Sequence, residues 1–413
     1  MKTFFLKIEN LLLMFFLVAV SLFPIIPNAI KGLPVVFFIL ITILFLLFKK
    51  RVYKKNRYIK YAFLFSALFL MYLVSLIYTN NLQYGLKKVE TTLSFFIIPF
   101  CFALVYNRIK ITDKMKLIFF YGYIFFSTIY AVSILLYFNY LGFDYCRGNL
   151  SHCLSYLNGT FILSEHPIYA SMFIALAIIF IVNSFRNQHV FIKIIFLLCL
   201  IVIVFTLFFL IRKGVIIALV LSFISFLFFG KTPKKVNYLK TVVLLSVLFV
   251  LSLSFKDSIF KRFSELSKSS TYQVIDPDNS TSIRYSIYKC SLFLISQNPI
   301  FGVGLGDVSH ELLECYKSKS QYLVSNRFNS HNQFFGIILS TGFVGLLIFI
   351  IQLVFYFKNT ISHKDSLFLQ SLIFFVFLMM TENILDRQSG VILFSFTMNY
   401  FFFNNISSKL ENV

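Results

Sequence analysis

Apolar runs of membrane-spanning length recur along most of the chain and are separated by short polar segments. A helix needs about 20 apolar residues to cross a hydrocarbon core of roughly 30 Å, and many of these runs approach that length. The pattern therefore predicts an all-α membrane protein with about twelve transmembrane helices. The predicted spans lie near residues 10–27, 33–48, 61–78, 91–106, 116–138, 167–184, 191–211, 214–229, 238–255, 333–356, 366–380 and 390–404.

The predicted spans divide the chain into three parts. Residues 1–255 hold the first nine spans, and residues 332–413 hold the last three. Residues 256–331 form the one polar segment that is long enough to fold outside the membrane. We therefore expect a single large extramembrane loop between two groups of transmembrane helices.

The large loop combines amphipathic segments with two short motifs. Its apolar spacing predicts amphipathic helices over residues 257–268 and 283–297, and the hydroxyl residues 280–282 are typical of a helix N-cap. The sequence NPIFGVG follows at 298–304, and a His-Asn pair stands at 331–332 before an apolar run. The glycines lack the spacing and the preceding strand of a dinucleotide loop, so they predict a tight turn or a close backbone approach.

Charge indicates how the predicted bundle is oriented. The 413 residues are 59% hydrophobic and carry a net charge of +22, which in a soluble protein would suggest nucleic-acid binding. With both termini inside, however, the inner segments hold 22 of the 38 basic residues and 4 of the 16 acidic ones. This asymmetry follows the positive-inside rule. We therefore expect the lipid bilayer and no nucleic acid as partner, cytoplasmic termini and a large loop outside.

His331 is the first candidate for chemistry because it stands between polar residues at the edge of an apolar run. A neutral imidazole at the outer membrane surface can accept a proton from a hydroxyl group. The alternative is an ordinary polar residue at the interface. Gly342 and Gly345 follow on the same predicted helix, and such glycines permit close helix packing that would hold His331 against the bundle.

Three basic residues are candidates for binding phosphate. Arg212 and Lys213 lie between two apolar runs with almost no loop, just before Gly214. They are either interface anchors or, with the amides of the next helix, an anion site. Arg284 lies in the predicted 283–297 helix, and a guanidinium group binds phosphate through two parallel hydrogen bonds.

Further polar groups are expected near the outer face. Glu165 and His166 precede a predicted span and form either an interface cap or part of an acceptor site. The charged residues Glu382, Asp386 and Arg387 could pair among themselves. For Cys146 and Cys153 a disulfide is possible if their loop faces an oxidising compartment.

Taken together, these features resemble the O-antigen ligase family of bacterial membrane enzymes, which transfer a glycan from a polyprenyl diphosphate. The resemblance rests on the number of spans, the late outer loop, Arg212, Ser282-Ile-Arg284, the NPIFGVG turn and His331-Asn332 followed by spaced glycines. It is firmest over residues 200–350. The family commonly has a tryptophan after the arginine that corresponds to Arg284, whereas this chain has no tryptophan and carries Tyr288 near that place.

The resemblance implies a GT-C-like fold in the bacterial inner membrane and an active site on the periplasmic face. It implies that His331 is the general base and that Arg212 and Arg284 bind the diphosphate of an undecaprenyl-linked glycan donor. Lys213, Tyr288 and Asn332 are assigned to substrate binding. Base-assisted inverting displacement needs no metal, and the sequence has no Asp-rich metal motif, so neither a metal nor a cofactor is expected.

Four functions remain open at this stage. The first is a ligase that attaches the glycan to a lipid A-core or related acceptor, and the second is a polymerase of lipid-linked repeat units. An enzyme that transfers the glycan to protein hydroxyls is a third. A transporter of the same lipid is favoured less, because transporters place charges at mid-membrane and this chain has almost none there.

Overall fold

The computed structural model describes residues 2–47, 58–106, 111–142, 145–146, 153, 160, 163–185, 188–210, 212–229, 242, 246, 269–272, 275–277 and 279–409. All regular secondary structure within these ranges is helical. The longer helices are α1 (Lys2–Ser21), α2 (Leu33–Leu47), α3 (Ile59–Ser75), α4 (Leu82–Thr92), α5 (Ser94–Tyr106), α6 (Asp113–Leu141), α7 (Pro167–Ser184), α8 (Val190–Leu210), α9 (Lys213–Phe229), α10 (Ser280–Gln297), α11 (Val308–Lys317), α12 (Gln321–Asn326), α13 (Gln333–His363), α14 (Ser366–Met379) and α15 (Gln388–Lys409). Single 3-10 turns occur at Asn28–Ile30, Ser269–Tyr272 and Ile384–Asp386.

Every predicted span that falls within the described residues coincides with a helix. Of the predicted 238–255 span the structure describes only residues 242 and 246, and the predicted 257–268 amphipathic helix lies outside the described residues. By length and composition, 6 helical stretches of the described chain can cross a membrane, and four shorter apolar helices accompany them. The protein is therefore an all-helical membrane protein, and twelve spans remain a prediction. The 6 stretches are Asn28–Leu47, Leu82–Tyr106, Asp113–Leu141, Pro167–Ser184, Val190–Leu207 and Gln333–His363.

Two helices near the start depart from the predicted boundaries. Helix α1 ends at Ser21, not near residue 27, because Pro24 and Pro27 follow and proline cannot continue a helix. The predicted 91–106 span is preceded by the amphipathic helix α4, whose Asn81 side chain accepts a hydrogen bond from the Tyr84 amide as an N-cap. Helix α4 thus adds polar surface next to the large loop.

The core of the bundle is formed by α7 and α15, which are buried along most of their length among phenylalanine and tyrosine rings. Helix α15 packs against α5, α13 and α14, while α7 packs against α6, α8 and α14. The 380–387 connection between α14 and α15 is therefore held at the end of a rigid core. The backbone of this connection is thereby positioned by the helices on either side of it.

Helix α10 of the large loop packs on the bundle through the predicted apolar face. Ile283, Ile287 and Leu294 are buried against Leu312 of α11 and Leu339 of α13. The prediction allowed this face to lie either on the membrane surface or on the bundle, and the structure shows the second arrangement. Helix α10 therefore holds its polar residues beside the start of α13.

The NPIFGVG turn inserts into an interruption of helix α13. Gly342 has a left-handed φ of 68°, which breaks the helix and frees backbone groups on both sides. The amide of Val303 donates to the carbonyl of Leu339 (2.7 Å), and the amide of Phe343 donates to Pro299 (2.8 Å). A Cβ atom at Gly342 would collide with the Ile300 backbone. The turn and the spaced glycine are therefore two halves of one backbone junction.

This junction corrects the expectation that Gly342 and Gly345 mediate contact between helices. Gly342 receives the backbone of a turn, and a Cβ atom at Gly345 would meet the Thr341 side chain of its own helix. The turn also binds the α3–α4 connection, because the Asp307 carboxylate accepts hydrogen bonds from the amides of Asn80 (2.7 Å) and Asn81 (2.8 Å). The end of the large loop is thus anchored on two sides.

Two disulfide bonds lie in the segments predicted to face outward. Cys146 pairs with Cys153, a pairing that the sequence left open, and Cys290 pairs with Cys315, a pairing that the sequence analysis did not find. The second bond ties α10 to α11. Disulfides persist in oxidising compartments, which agrees with the predicted orientation.

Candidate active site

Arg284 lies in the second turn of α10, facing the α14–α15 connection. The N-cap of α10 is Asn279, whose side-chain oxygen accepts hydrogen bonds from the amides of Thr281 and Ser282, so the helix begins earlier than predicted. The Arg284 side chain is 37% exposed, and its Nη2 atom lies 3.0 Å from Oε1 of Glu382. One face of this guanidinium group is therefore bound by the protein, while the group as a whole remains accessible.

His331 has an unusual backbone conformation just before α13. Its φ of 44° lies in the left-handed region, which side chains other than glycine rarely adopt, although histidine does so more often than most. The His331 amide donates to Oδ1 of Asn329 (3.1 Å), and the Tyr288 hydroxyl donates to the His331 carbonyl (3.4 Å). Several contacts thus hold a strained residue, a pattern found at functional sites.

Glu382 joins the histidine to the arginine. Its Oε2 atom lies 3.1 Å from Nδ1 of His331, and its Oε1 atom is bound by Arg284. A carboxylate can only accept, so a neutral His331 donates through Nδ1–H and keeps Nε2 unprotonated. The side chains of His331 and Glu382 are 23% and 15% exposed. A carboxylate that accepts from Nδ1–H in this way orients an imidazole so that its Nε2 atom can accept a proton.

The position of Glu382 is set by hydrogen bonds between the α14–α15 connection and the start of α13. The Asn383 side chain donates to the Ser330 hydroxyl (2.9 Å), and the Leu385 amide donates to the Gln333 side chain (2.8 Å). Both contacts are buried. They fix Glu382 and His331 on adjoining segments that are about fifty residues apart in sequence.

His331 and Glu382 line a cavity of about 200 Å³, called the base cavity below. His166 and Arg387 lie on its wall, and Phe328 packs its ring 5.7 Å from the imidazole of His331. The cavity thus places the proposed base beside cationic and aromatic side chains.

Arg212 lies near the base cavity and immediately precedes α9. Its Nε atom is buried and, within the part of the chain that the structure describes, has no hydrogen-bond partner. Burial lowers the pKa of Arg212, and the nearby carboxylate of Glu382 acts against this effect. Helix α9 begins at Lys213, one residue earlier than predicted, and Gly214 allows it to approach Thr381 closely. The start of α9 is thus adjacent to the Glu382 segment.

On the wall of the base cavity, His166 has a lowered pKa that favours its neutral form. Burial, followed by the charges of Arg387 and Arg212, lowers the pKa of His166 from its usual 6.5 to about 4. Its Nδ1 atom accepts a hydrogen bond from the Ile168 amide (3.4 Å), so the residue caps α7. The structure thus shows a helix cap at His166, and the residue also lines the base cavity. Its neighbour Glu165 is buried in an ion pair with Lys31.

The structure brings some of the predicted residues together and gives others local roles. His331, Arg284 and Tyr288 form one cluster, and Arg212 approaches it electrostatically. The side-chain oxygen of Asn332 accepts hydrogen bonds from the amides of Phe334 and Phe335, so it caps α13. Asn332 therefore stabilises the start of the helix that follows His331.

The sequence allowed Glu382, Asp386 and Arg387 to pair among themselves, and the structure shows other partners for the two acids. Glu382 binds Arg284 and His331, while Asp386 accepts a hydrogen bond from the Asn329 side chain (3.2 Å). The reason is that the 380–387 connection faces α10 and the start of α13, which supply other partners. The contacts of Glu382 with Arg284 and His331 are what the sequence analysis missed, and its place in a polar turn between two apolar helices was the available signal.

Residues 197–350 of the chain match the family described as O-antigen ligase. No curated protein matches the chain. The matched segment contains Arg212, Arg284, His331 and the junction at Gly342, whereas Glu382 lies beyond it. It supports an enzyme of the general ligase or polymerase type acting on lipid-linked glycans. The predicted resemblance to the O-antigen ligase family is therefore confirmed over this segment.

Proposed function

We propose that the protein is an inverting glycosyltransferase that moves a glycan from undecaprenyl diphosphate to an acceptor hydroxyl group at the periplasmic face. The acceptor of the favoured ligase reaction is lipid A-core or a related glycan. The observation that carries this proposal is the Arg284–Glu382–His331 cluster at the wall of a cavity. The cluster joins a guanidinium group, which suits a diphosphate, to an imidazole, which suits the deprotonation of a hydroxyl group.

In the proposed step, the acceptor hydroxyl loses its proton to Nε2 of His331 as its oxygen attacks the anomeric carbon of the donor sugar. The bond between that carbon and the diphosphate oxygen breaks, and the diphosphate leaves with the electron pair. Glu382 stabilises the imidazolium that forms. The reaction as written needs no metal ion, because the cations below stabilise the departing charge.

Arg284 and Arg212 are the proposed partners of the diphosphate. Arg284 is partly exposed and can turn part of its fork towards a phosphate, and Arg212 brings a buried guanidinium nitrogen to the same face. Lys213, Tyr288 and Asn332 are proposed to assist substrate binding. Of these, Tyr288 has the most direct support, because it contacts the His331 backbone.

The test is to profile glycans in cells that lack this protein and are complemented with wild type or with His331→Ala. For a ligase, long glycans accumulate on the carrier in the deletion strain and none reaches the final acceptor. For a polymerase, single repeat units accumulate instead. In either case, His331→Ala should insert normally and fail to restore the product. Full restoration by His331→Ala would contradict the proposed function.

A further inference from the structure

A second cavity, of about 260 Å³, adjoins the base cavity and is called the α4 cavity below. The two cavities share wall residues at Phe328, Asn329 and Arg387. Tyr84 and Lys88 of α4 complete the far side. Relying on the proposed function, we infer that the α4 cavity is a subsite for a sugar unit of the acceptor that carries an anionic group.

The lining of the α4 cavity has the chemistry of a saccharide site. The aromatic residues Tyr72 and Tyr84 lie on its wall, and Asn329, Gln333 and Ser309 add amide and hydroxyl groups. Sugars present both apolar C–H faces and hydroxyl edges, so such a mixture matches them better than a uniformly apolar lining. The backbone junction and the Asp307 contacts hold the adjoining segment in place.

The charge of the lining favours an anionic sugar. Lys88, Arg327 and Arg387 lie on the wall, whereas Asp386 is the acidic residue among the described wall residues. Asp386 lies 3.9 Å from Lys88, and both side chains are partly exposed, so their pairing is weak. The excess positive charge would attract a carboxylate or phosphate group on the sugar.

The geometry assigns this subsite to the acceptor and not to the donor. In an inverting displacement, the attacking oxygen and the departing diphosphate lie on opposite sides of the anomeric carbon. Among the described residues, the wall of the α4 cavity includes neither Arg212 nor Arg284, the proposed diphosphate ligands. Its wall is instead built in part by α4 and α11, through Lys88 and Leu312, on the far side of the residues that it shares with the base cavity.

Lys88→Gln tests the subsite, and Lys87→Gln is its matched control on the same helix. Lys87 is exposed and does not line the cavity, so both variants lose one charge from α4. Initial rates would be measured with donor and acceptor extracted from the producing cells. We expect Lys88→Gln to raise the acceptor KM about tenfold with an unchanged donor KM, and Lys87→Gln to match wild type. Equal acceptor KM values for the two variants would overturn the inference.

A binding measurement tests the same site without catalysis. Because the chain has no tryptophan, Tyr84→Trp creates a single indole at the cavity wall. Glucuronate and glucose 6-phosphate are the carboxylate and phosphate probes, glucose is the neutral probe, and Tyr140→Trp at an exposed position is the control. We expect a saturable, salt-weakened fluorescence change with at least one anionic probe and only at position 84.

The outcomes separate the subsite from the proposed function. An equal response to all three sugars, no response, or the same response at position 140 would overturn the anionic subsite. If His331→Ala abolishes transfer while both α4 tests fail, the proposed function stands and only the subsite is rejected. If His331→Ala transfers glycan normally, the proposed function fails whatever the binding tests show.

Discussion

Two acidic residues of this protein bind basic side chains, one in a buried pair and the other at the edge of a cavity. Glu165 pairs with Lys31 at 2.5 Å, and the two side chains are only 3% and 2% exposed. The Ser389 hydroxyl donates to the same carboxylate oxygen (2.8 Å), and the Lys31 ammonium lies 4.5 Å from the Phe173 ring centroid. Glu382, in contrast, divides its two oxygens between Arg284 and His331 at the edge of a cavity.

The difference separates a closed ion pair from an accessible cluster to which we assign a role in catalysis. The Lys31–Glu165 pair is closed on all sides by the α1–α2 connection, α7 and the start of α15, so no substrate can compete for it. At Glu382 the partners remain accessible, and one of them is a titratable imidazole. A closed pair contributes to the folded state, whereas an open cluster can exchange partners during a reaction.

The largest expected effect is the loss of folding when the closed pair is broken. Glu165→Gln leaves the Lys31 ammonium buried without a countercharge, which should lower the free energy of unfolding by about 3–5 kcal/mol. Thermal unfolding of the detergent-purified protein measures this. Glu382→Gln should cost about 1 kcal/mol or less, because its partners reach solvent. Equal losses in the two variants would show that the pairs do not differ as described.

The next effect is on transfer activity, where Glu382 and not Glu165 is expected to be the sensitive residue. Glu382→Gln keeps the shape of the side chain but removes the charge that orients His331 and stabilises its protonated form. We expect transfer to slow by about 10²–10³-fold with normal membrane insertion. Glu90→Gln on the exposed face of α4 is the matched control and should transfer glycan at the wild-type rate. A Glu382→Gln enzyme as fast as this control would contradict the assignment.

A smaller loss is expected from Arg284→Lys. Lysine retains the charge but cannot form the two parallel hydrogen bonds of the guanidinium fork, and losing one such bond costs about 1.5–3 kcal/mol, or roughly 10- to 100-fold. Inorganic diphosphate should also compete less well with the lipid-linked donor in the variant, which inhibition of transfer by diphosphate measures. If diphosphate competes equally well with the variant, Arg284 does not bind that group.

The smallest effect concerns pH. The pKa of His166 is lowered to about 4 from the usual 6.5, so between these values the unfolded chain binds more protons there than the native protein. The contribution of His166 should therefore make the unfolding temperature fall as the pH decreases from 6.5 towards 4. Arg387, Arg212, Glu382 and His331 are the charged or titratable neighbours of this imidazole.

His166→Asn isolates this contribution, because asparagine is also a favourable N-cap and does not titrate. The variant should show a shallower dependence of unfolding temperature on pH over that interval. A dependence identical to wild type would show that the lowered pKa of His166 does not limit stability.

Much of the helical fold was predictable because a long apolar run predicts a helix without information from the rest of the chain. The positions of α7 and α14 followed from such runs almost to the residue. The turn at Asn298 and the glycine at Gly342 were also recognised, but their contact was not, because neither motif carries information about the backbone groups freed by the other. The Cys290–Cys315 bond was missed for a similar reason.

The candidate site was predictable where chemistry and local context coincided. His331 and Arg284 stood out as a base and a phosphate ligand at the ends of predicted helices. Glu382 did not, since its neighbours Asp386 and Arg387 offered simpler partners in the sequence. Only the packing of the α14–α15 connection against α10 and α13 reveals that it binds both predicted residues.

The most direct test of the central claim, that Glu382 acts through His331, is a double-variant cycle on glycan transfer by the purified protein in lipid vesicles. Transfer rates would be measured for wild type, His331→Ala, Glu382→Gln and the variant with both changes. We predict that the double variant is no slower than His331→Ala alone, because an absent imidazole cannot be oriented. Single losses that multiply in the double variant would contradict the account.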